Sequence, residues 1–508
     1  MHPVLCGLAA NASLPSRLID QLIALADDAV DWELAYRPDL SHAQVVALAS
    51  RTDGTAVQLA YEGRLTASDI DPVTQPRAAL ALLDQQAGRP EWARLFAADP
   101  VAEHREKLAA CPGLPPDVVE TLAADPDVRV VAELALRAAA DMATGLASHP
   151  HAEVRRAVAA NEATPPAVLA MLVTGEGLPS AQRCLVCDRE RTPFVHDPQC
   201  PRPDCDLLPG ASCDGSHEST VHDMWLSALR NPATPVDAVV DFADHPSMLL
   251  RCQLAARPDL PPDLWERLAH DPTPGVRGDL AENPAIGDAQ IRALATDLDR
   301  SVRRGLAHNP SVPLDVLGHL AAVTRIGPTV LPRIAAASPA EVEDMARSTN
   351  PALRMLVAQR RDLPTGIRDL LALDPDAKVA KSIAPHPGLS EAQLRALVDR
   401  HGVRVVAKVA TNPAASPALL EDLARHEPPV QKAFREIARH PNATAPALLA
   451  CLTDGQARPI AAGHPALPPH VMVELLSDDD WQVAEAAAAN PSLPQAVMPE
   501  LIPAGAEA

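Results

Sequence analysis

Residues 257–284 read Arg257-Pro-Asp-Leu-Pro-Pro-Asp-Leu-Trp-Glu-Arg-Leu-Ala-His-Asp-Pro-Thr-Pro-Gly-Val-Arg-Gly-Asp-Leu-Ala-Glu-Asn-Pro. Pro262 can begin a helix, because proline is tolerated in the first helical turn, and Leu264 and Leu268 then recur at helical spacing. Asp271 with its proline ends this helix and can start another. Asn283 stops the second helix, since a residue before proline is pushed out of the α region. The stretch therefore predicts two short helices joined by proline corners.

This phrase returns about every 26 residues. A fixed period in the range of roughly 20–50 residues is typical of a solenoid, in which short helices are stabilised by stacking on their neighbours. The corner between copies is marked by Asn-Pro or a close variant. Successive copies start at Asn11, Arg37, Glu62, Cys111, Arg137, Asn161, Asn231, Arg257, Asn283, Asn309, Arg360, His386, Asn412, His440, His464 and Asn490.

The composition also favours an all-α repeat protein. The 508 residues are too many for one compact core. Hydrophobic residues make up 47% of the chain but aromatic residues only 2%, so Ala, Leu and Val must build the interior. The 53 prolines are about twice the usual share of roughly 5%, and they fall at repeat boundaries. We therefore predict a helical-repeat solenoid with Ala, Leu and Val in its core.

The charge limits the classes of partner. The formal net charge of −22 should repel nucleic acid and anionic membranes, so a protein partner is expected. No uncharged apolar run approaches the ~20 residues of a membrane span. The N-terminus has no basic stretch typical of a secretion signal and runs directly into a repeat. We expect a cytoplasmic protein with no membrane partner.

The repeat resembles the leucine-rich repeat variant family. The resemblance lies in Leu-Ala-Ala-Asp-Pro-Asp-Val-Arg at residues 122–129 and in Val-Arg-Arg-Gly-Leu-Ala-His-Asn-Pro-Ser-Val-Pro at residues 302–313. It covers most of the chain outside a cysteine-rich segment and two blurred stretches, 63–110 and 322–359. The family implies a right-handed superhelix of alternating short α and 3₁₀ helices. Paired α-helices of the HEAT type remain the alternative.

A cysteine-rich segment interrupts the repeats. It contains Cys184-Leu-Val-Cys187, then Cys200 and Cys205, and ends in Cys213-Asp-Gly-Ser-His217; His196 and His222 lie nearby. A Cys-x-x-Cys pair followed by further Cys and His at short spacing is typical of a metal site. The segment has few large apolar residues and needs such a site to be ordered. The candidate metal ligands are Cys184, Cys187, Cys200, Cys205, Cys213 and His217.

These boundaries predict three regions. Residues 1–175 form N-terminal helical repeats, residues 176–222 form the metal-binding insert, and residues 223–508 form C-terminal helical repeats.

Zinc and an iron–sulfur cluster both remain open. Ligand spacing alone favours zinc, because closed Cys₄ and Cys₃His sites are common. Two resemblances favour iron–sulfur. The repeat-variant family includes a cysteine-rich iron–sulfur element, and residues 213–217 are similar to the CDGSH family, which holds a two-iron cluster with three Cys and one His. That similarity implies that Cys213 and His217 are ligands. However, Cys200 and Cys205 do not form the Cys-x-Cys pair of that family, and Ala211 replaces its proline.

Two other residue types recur with the repeat. Five arginines are predicted to share one repeat position and form a ladder, which either binds acidic groups or pairs with aspartates at the helix corners; the acidic excess favours pairing. Five histidines precede proline at helix C-termini, where the helix dipole favours an imidazolium. The arginines are Arg129, Arg155, Arg277, Arg303 and Arg404. The histidines are His149, His245, His386, His440 and His464.

No catalytic pattern is found in the sequence, which has neither a Gly-rich phosphate loop nor the His-Glu-x-x-His and Gly-x-Ser-x-Gly motifs. We therefore predict no catalytic or organic-cofactor residues and a non-enzymatic scaffold for protein–protein interaction that carries a metal module. Two alternatives remain. One is an iron–sulfur redox or iron-responsive protein. The other is a helical-repeat enzyme acting on nucleic acid or a protein-bound ligand.

Overall fold

The computed structural model describes residues 2–185, 187–188, 217–327 and 329–503. Within these ranges the chain forms 33 α-helices and three 3₁₀ helices, and the strand-type pairing is limited to one isolated bridge between His151 and Arg183. The predicted all-α helical-repeat architecture is confirmed. The alternation of α and 3₁₀ helices that the resemblance implies is not found in the described residues, because both helices of nearly every repeat are α-helical.

Thirteen α-helices precede the cysteine-rich segment in the described residues. They are α1 (His2–Ala10), α2 (Ser16–Ala24), α3 (Asp28–Ala35), α4 (His42–Ala49), α5 (Asp53–Tyr61), α6 (Pro76–Asp84), α7 (Pro90–Ala97), α8 (Ala102–Ala109), α9 (Pro116–Ala123), α10 (Val128–Ala135), α11 (Ala140–Leu146), α12 (Ala152–Ala160) and α13 (Pro166–Thr174).

The described residues after that segment hold the remaining helices. They are α14 (Glu218–Arg230), α15 (Met248–Ala255), α16 (Pro262–Ala269), α17 (Pro274–Glu282), α18 (Asp288–Ala295), α19 (Arg300–His308), α20 (Leu314–Val323), α21 (Pro332–Ala335), α22 (Pro339–Arg347), α23 (Pro351–Val357), α24 (Thr365–Ala372), α25 (Ala377–Ile383), α26 (Glu391–His401), α27 (Val403–Val409), α28 (Pro417–Ala424), α29 (Gln431–Arg439), α30 (Ala445–Cys451), α31 (Arg458–Ala462), α32 (Pro469–Leu475) and α33 (Trp481–Ala489). The 3₁₀ helices are Val236–Ala238, Val240–Asp244 and Met498–Leu501.

Each full repeat consists of two short helices followed by a corner. α16 and α17 form one copy and α18 and α19 the next, with Asn283 and Asn309 directly after α17 and α19. The prediction that these asparagines occupy equivalent corners with helices on both sides is confirmed. The blurred stretches 63–110 and 322–359 also contain helices, α6 to α8 and α21 to α23.

The corner side chains tie each repeat to the one before it. The Asn309 side-chain amide donates to the carbonyl oxygens of Ala281 (2.9 Å) and Asn283 (2.7 Å). Both carbonyls lie at a helix end, where intrahelical partners are lacking, so the amide supplies a donor that the helix itself does not. The same pair of bonds is made by Asn11, Asn231, Asn283, Asn412 and Asn490, whereas Asn161 donates to the carbonyl oxygens of Ala135 and Ala138.

Arginine and histidine can replace asparagine at a corner because they also present N–H donors. The Arg37 guanidinium donates to the carbonyl oxygens of Ala9 and Asn11. His440 accepts the Asn442 amide at Nδ1, so its Nε2 carries the proton that is donated to the Asn412 carbonyl at 2.9 Å.

The predicted imidazolium is wrong at three of the histidine corners. His386 and His464 are buried, and burial is the main cause that lowers the pKa of each. Burial likewise lowers the pKa of His149. Desolvation disfavours the charged form, and here it outweighs the attraction of the helix C-terminus.

The prediction that the five arginines share one repeat position is also wrong. Arg155, Arg277 and Arg303 lie six residues before their corner residues, whereas Arg129 and Arg404 lie eight residues before theirs. Arg129 is half exposed and pairs with Asp127, two residues away. The five arginines therefore occupy two different positions on the second helix.

The arginine six residues before the corner bridges successive repeats. Arg277 contacts the Asp297 carboxylate at 2.6 Å and donates to the Asp271 carbonyl at 2.7 Å. The pairing interpretation therefore holds for Arg277, whereas Arg155 donates to the carbonyl oxygens of His149 and Pro179, and Arg303 donates to the Asp297 carbonyl and the Thr324 hydroxyl. Equivalent pairs are Arg105–Asp125, Arg251–Asp271, Arg354–Asp374 and Arg458–Asp478.

The chain divides into two compact units. One comprises Met1–Ala81, Pro328–Val330 and Ala337–Ala508, and the other comprises Leu82–Gly327 and Leu331–Ala336. In the first unit α1 packs against α33, and Asn11 donates to the carbonyls of Ala488 and Asn490. The two ends of the chain thus stack as adjacent repeats.

No helix in the described part of the chain combines the length and apolar character needed to cross a bilayer.

Candidate metal centre

The start of the cysteine-rich segment lies against the loop that joins α11 to α12. The Gln182 amide donates to the Pro150 carbonyl at 2.8 Å, and the Ala152 amide donates to the Arg183 carbonyl at 2.9 Å. Ala152 is the first residue of α12, so the exchange satisfies an amide that has no partner within its own helix. Gln182 and Arg183 are thereby fixed to the loop that precedes α12.

A side-chain bridge fixes the residue next to Cys187. His151 is 4% exposed and accepts the Glu153 amide at Nδ1 (3.1 Å), so its Nε2 carries the proton. That nitrogen donates to the Asp188 carboxylate at 3.2 Å, and Arg183 contacts the other oxygen of Asp188 at 2.8 Å. Burial is the main cause that lowers the pKa of His151, and Asp188 opposes it. Asp188 is thus held from both sides.

Cys184 and Cys187 form a tight turn. Their sulfur atoms are 3.6 Å apart, and the Cys187 amide donates to the Cys184 Sγ at 3.4 Å. Cys184 is buried and Cys187 exposed. An amide directed at sulfur stabilises a thiolate, the form that binds metals.

His217 completes the cluster from the other side of the segment. It immediately precedes α14, has a φ of 58° and is 4% exposed. Its carbonyl accepts the amides of Thr220 and Val221, and α14 packs against α12. The His217 Nδ1 lies 3.5 Å from the Cys187 Sγ.

The ligand atoms of Cys184, Cys187 and His217 all lie within 4.8 Å of one another, and they form the only such group of three found among the described residues. A tetrahedral ion with bonds of about 2.3 Å to sulfur and about 2.0–2.1 Å to nitrogen needs ligand separations of roughly 3.5–3.8 Å. The separations of 3.6 Å and 3.5 Å fit these edges. The group could therefore hold a metal.

Three of the six predicted ligands are brought together. Cys200, Cys205 and Cys213 lie outside the described residues, as does His196. His222 is not part of the group, because its Nε2 lies 2.7 Å from the Ser247 hydroxyl one repeat later.

Sequence reasoning missed the residues that support the cluster. The repeat register contains a signal for them: the usual arginine–aspartate pair between repeats is replaced by Val131 and His149. A cavity of about 520 Å³ opens at this place, lined in part by Val131, His149, His151 and Asp188. The repeat surface against which the segment lies therefore lacks the usual arginine–aspartate pair.

Three cysteines in the repeats are buried: Cys111, Cys252 and Cys451. Burial raises the pKa of Cys111 and of Cys451 to about 12, which keeps both thiols protonated at neutral pH. Cys6 differs because it is only partly buried.

The comparisons with known proteins give little further information. The chain matches no protein-family model and no curated protein. Among solved structures it is similar to an engineered protein determined by a structural genomics consortium, with 15% identity over 93% of this chain and 97% of that one. The TM-score is 0.17, so the similarity carries no argument about fold or function.

Proposed function

We propose that this chain is a non-enzymatic helical-repeat scaffold for protein–protein interaction that carries a metal-binding module. Cys184, Cys187 and His217 would supply three ligands, and one of Cys200, Cys205 or Cys213 would supply the fourth. The observation that carries the proposal is the convergence of the three described ligands from the two ends of the cysteine-rich segment. A metal bound there would link α12 to α14 across the cysteine-rich segment.

The ligand separations support a single ion over a cluster. Each iron of a two-iron cluster is bridged by two sulfides and takes two protein ligands, and each iron of a four-iron cluster takes one. Three protein ligands within 4.8 Å of one another suit one ion that binds all three. Zinc accepts two thiolates, one imidazole and a fourth ligand in this geometry. We therefore favour zinc.

The surrounding groups support the same interpretation. Structural metal sites depend on hydrogen bonds that orient their ligands. Here the Cys187 amide approaches the Cys184 sulfur, and the His151–Asp188 pair fixes the residue after Cys187.

The repeat motifs support membership of the leucine-rich repeat variant family, and we extend the proposal to it. An iron–sulfur centre is the second candidate. Its specific support is the run Cys213-Asp-Gly-Ser-His217 together with the placement of His217 beside Cys187. A redox or iron-responsive role would follow from that centre.

The test is metal analysis of the full-length protein purified without oxygen. We expect one zinc per chain and no visible absorption. The variants Cys184→Ser and His217→Ala should each lose the metal, since removal of one ligand opens the site. Cys6→Ser is the matched control, because this thiol lies outside the cluster, and it should retain full metal content.

Cobalt substitution gives a second readout. Bound Co²⁺ should show thiolate charge-transfer absorption that weakens in Cys187→Ser and is unchanged in Cys6→Ser. Stoichiometric iron with visible absorption would instead show that the site holds an iron–sulfur cluster and not zinc. Absence of any stoichiometric metal would overturn the module.

A further inference from the structure

Lysines are concentrated in one part of the chain. The sequence has five lysines, and four of them are Lys378, Lys381, Lys408 and Lys432. They lie on α25, α27 and α29. These are the second helices of three consecutive repeats, and each packs against the next.

The positively charged residues follow the repeat register. Lys378, Arg404 and Lys432 each lie eight residues before a corner residue, and all three are exposed. Lys381, Lys408 and Arg435 lie one turn further along the same helices. We call these six residues the basic row. The position eight before the corner holds Gly275, Ser301 and Gln482 in three other repeats, and in a fourth it holds Arg129, which pairs with Asp127.

The basic row replaces the arginine–aspartate pairs seen elsewhere. The position six before the corner holds Ala380, Val406 and Phe434 in these three repeats, whereas its arginine pairs with aspartate in the flanking repeats, at Arg354 and Arg458. None of the six basic-row residues makes an ion pair with any residue that the structure describes. Glu436 is the nearby acid, and it contacts Arg439 at 3.7 Å.

Without a partner, the clustered positive charges of the basic row are energetically unfavourable. Burial is the main cause that lowers the pKa of Lys408, and Lys432 and Lys381 lower it further, while Glu436 opposes them. Lys378, Arg404 and Lys432 also lie in the first turns of their helices, where the helix dipole disfavours a positive charge. The repulsion suits a surface whose counter-charges come from a partner.

We infer that the basic row binds an acidic segment of a partner protein in extended conformation. This inference rests on the scaffold function proposed above and names the chemistry of its partner. Packed helices lie about 8–10 Å apart. An extended chain advances about 3.3 Å per residue, so three residues cover about 10 Å. Carboxylates at every third residue would therefore meet one repeat each.

Two observations favour an acidic peptide over nucleic acid. The net charge of −22 repels a long polyanion that extends far beyond the row, whereas a short peptide lies mainly against the three helices, which span about 16–20 Å. Single-stranded nucleic acid is usually bound by aromatic side chains that stack on its bases. In residues 377–439 the one aromatic residue is Phe434, which is partly buried.

The probe is a fluorescein-labelled 12-residue peptide with Glu at every third position and Gly or Ser between. Binding to the full-length protein is followed by fluorescence polarisation at low salt. We expect binding of this peptide, loss of binding when Glu is replaced by Gln, and weaker binding when the same glutamates are consecutive. Added salt should weaken binding, because the pairs are exposed.

The variant is Lys378→Gln with Arg404→Gln and Lys432→Gln. Three exposed ion pairs together account for about a tenfold change in affinity, so we expect a loss of that size. The control is Lys107→Gln with Arg300→Gln and Arg304→Gln, three exposed residues in the other unit. It changes the net charge equally and should alter affinity by less than about twofold.

Three outcomes would overturn the inference. One is equal loss in both triple variants, which would show a general charge effect. Another is tighter binding of a single-stranded oligonucleotide of equal charge, which would make the row a nucleic-acid surface. The third is no binding of the glutamate peptide. Metal content is measured on the same samples: metal without peptide binding overturns this inference alone, whereas peptide binding without metal overturns the metal module alone.

Discussion

At the scale of single residues, the corner side chain supplies N–H donors to carbonyl oxygens at helix ends. An Asn side-chain amide has two N–H groups, and each corner offers two carbonyl oxygens that no helical amide reaches. Asn309 therefore satisfies both acceptors at once. Arginine fits the same place because its guanidinium also presents two donors, as Arg37 does. Corner residues that differ in size and charge thus make equivalent hydrogen bonds.

We expect Asn309→Ala to remove the side-chain donor from the Ala281 carbonyl and to leave the Asn283 carbonyl with the Ile286 amide at 3.5 Å. The cost is about 1–3 kcal/mol, because a buried acceptor loses its partner. Hydrogen exchange should show it as a lower opening free energy for amides of α17 and α19.

The control for this substitution is Gln482→Ala. Gln482 also carries a side-chain amide, but it is exposed on α33, so its removal should leave the protection of α33 nearly unchanged. A loss of protection around Asn309→Ala no larger than that around Gln482→Ala would contradict the role of the corner amide.

At the scale of elements, stacking supplies the stability that short helices lack when isolated. α17 and α19 have nine residues each, fewer than the ~12–15 at which isolated helices become even marginally stable. They pack against each other. Leu280 in α17 and Leu306 in α19 are fully buried, with 0% exposure. The stability of each helix therefore depends on its neighbours.

We expect Leu280→Ala to cost about 2–5 kcal/mol at its own repeat, because the removed side chain leaves a cavity. Protection against hydrogen exchange should fall in α15, α17 and α19 and stay unchanged near Asn11. Leu298→Ala is the matched control, since Leu298 is 97% exposed. A uniform loss from Asn11 to Asn490 would instead show one cooperative core and contradict the nearest-neighbour description.

At the scale of the whole molecule, the two ends of the chain belong to one compact unit. α1 and α33 approach closely because α1 has a glycine at the contact. A Cβ on Gly7 would overlap the carbonyl oxygen of Glu485 and crowd Ala488. The first and last repeats therefore cover each other's apolar faces, a task that polar capping repeats perform in many solenoids.

We expect Gly7→Ala to separate α1 from α33 and to cost about 1–3 kcal/mol, as overpacking does in cores. Hydrogen exchange should accelerate in both helices. In the control Gly278→Ala, the added Cβ meets nothing within 4 Å, so this change should be neutral or stabilising by about 0.5–1 kcal/mol. If α1 and α33 keep their protection in Gly7→Ala, the close contact does not hold the ends together.

The periodic sequence determined the repeat itself. Proline corners, helical spacing of Leu264 and Leu268, and the recurrence of Asn283 and Asn309 are local signals, and local signals specify short helices. That the Cys-x-x-Cys pair and His217 lie together in a group that could hold a metal could likewise be predicted, because metal coordination imposes ligand type and spacing.

Tertiary structure alone decided which distant groups meet. Burial, which no corner motif states, lowers the pKa of His386 and of His464. His151 meets Asp188 across 37 residues, and Asn11 meets Ala488 across 477, because the stacking of repeats brings them together. The basic row likewise forms only when three helices align in register. Such contacts depend on packing between elements, and local sequence patterns specify that packing only weakly.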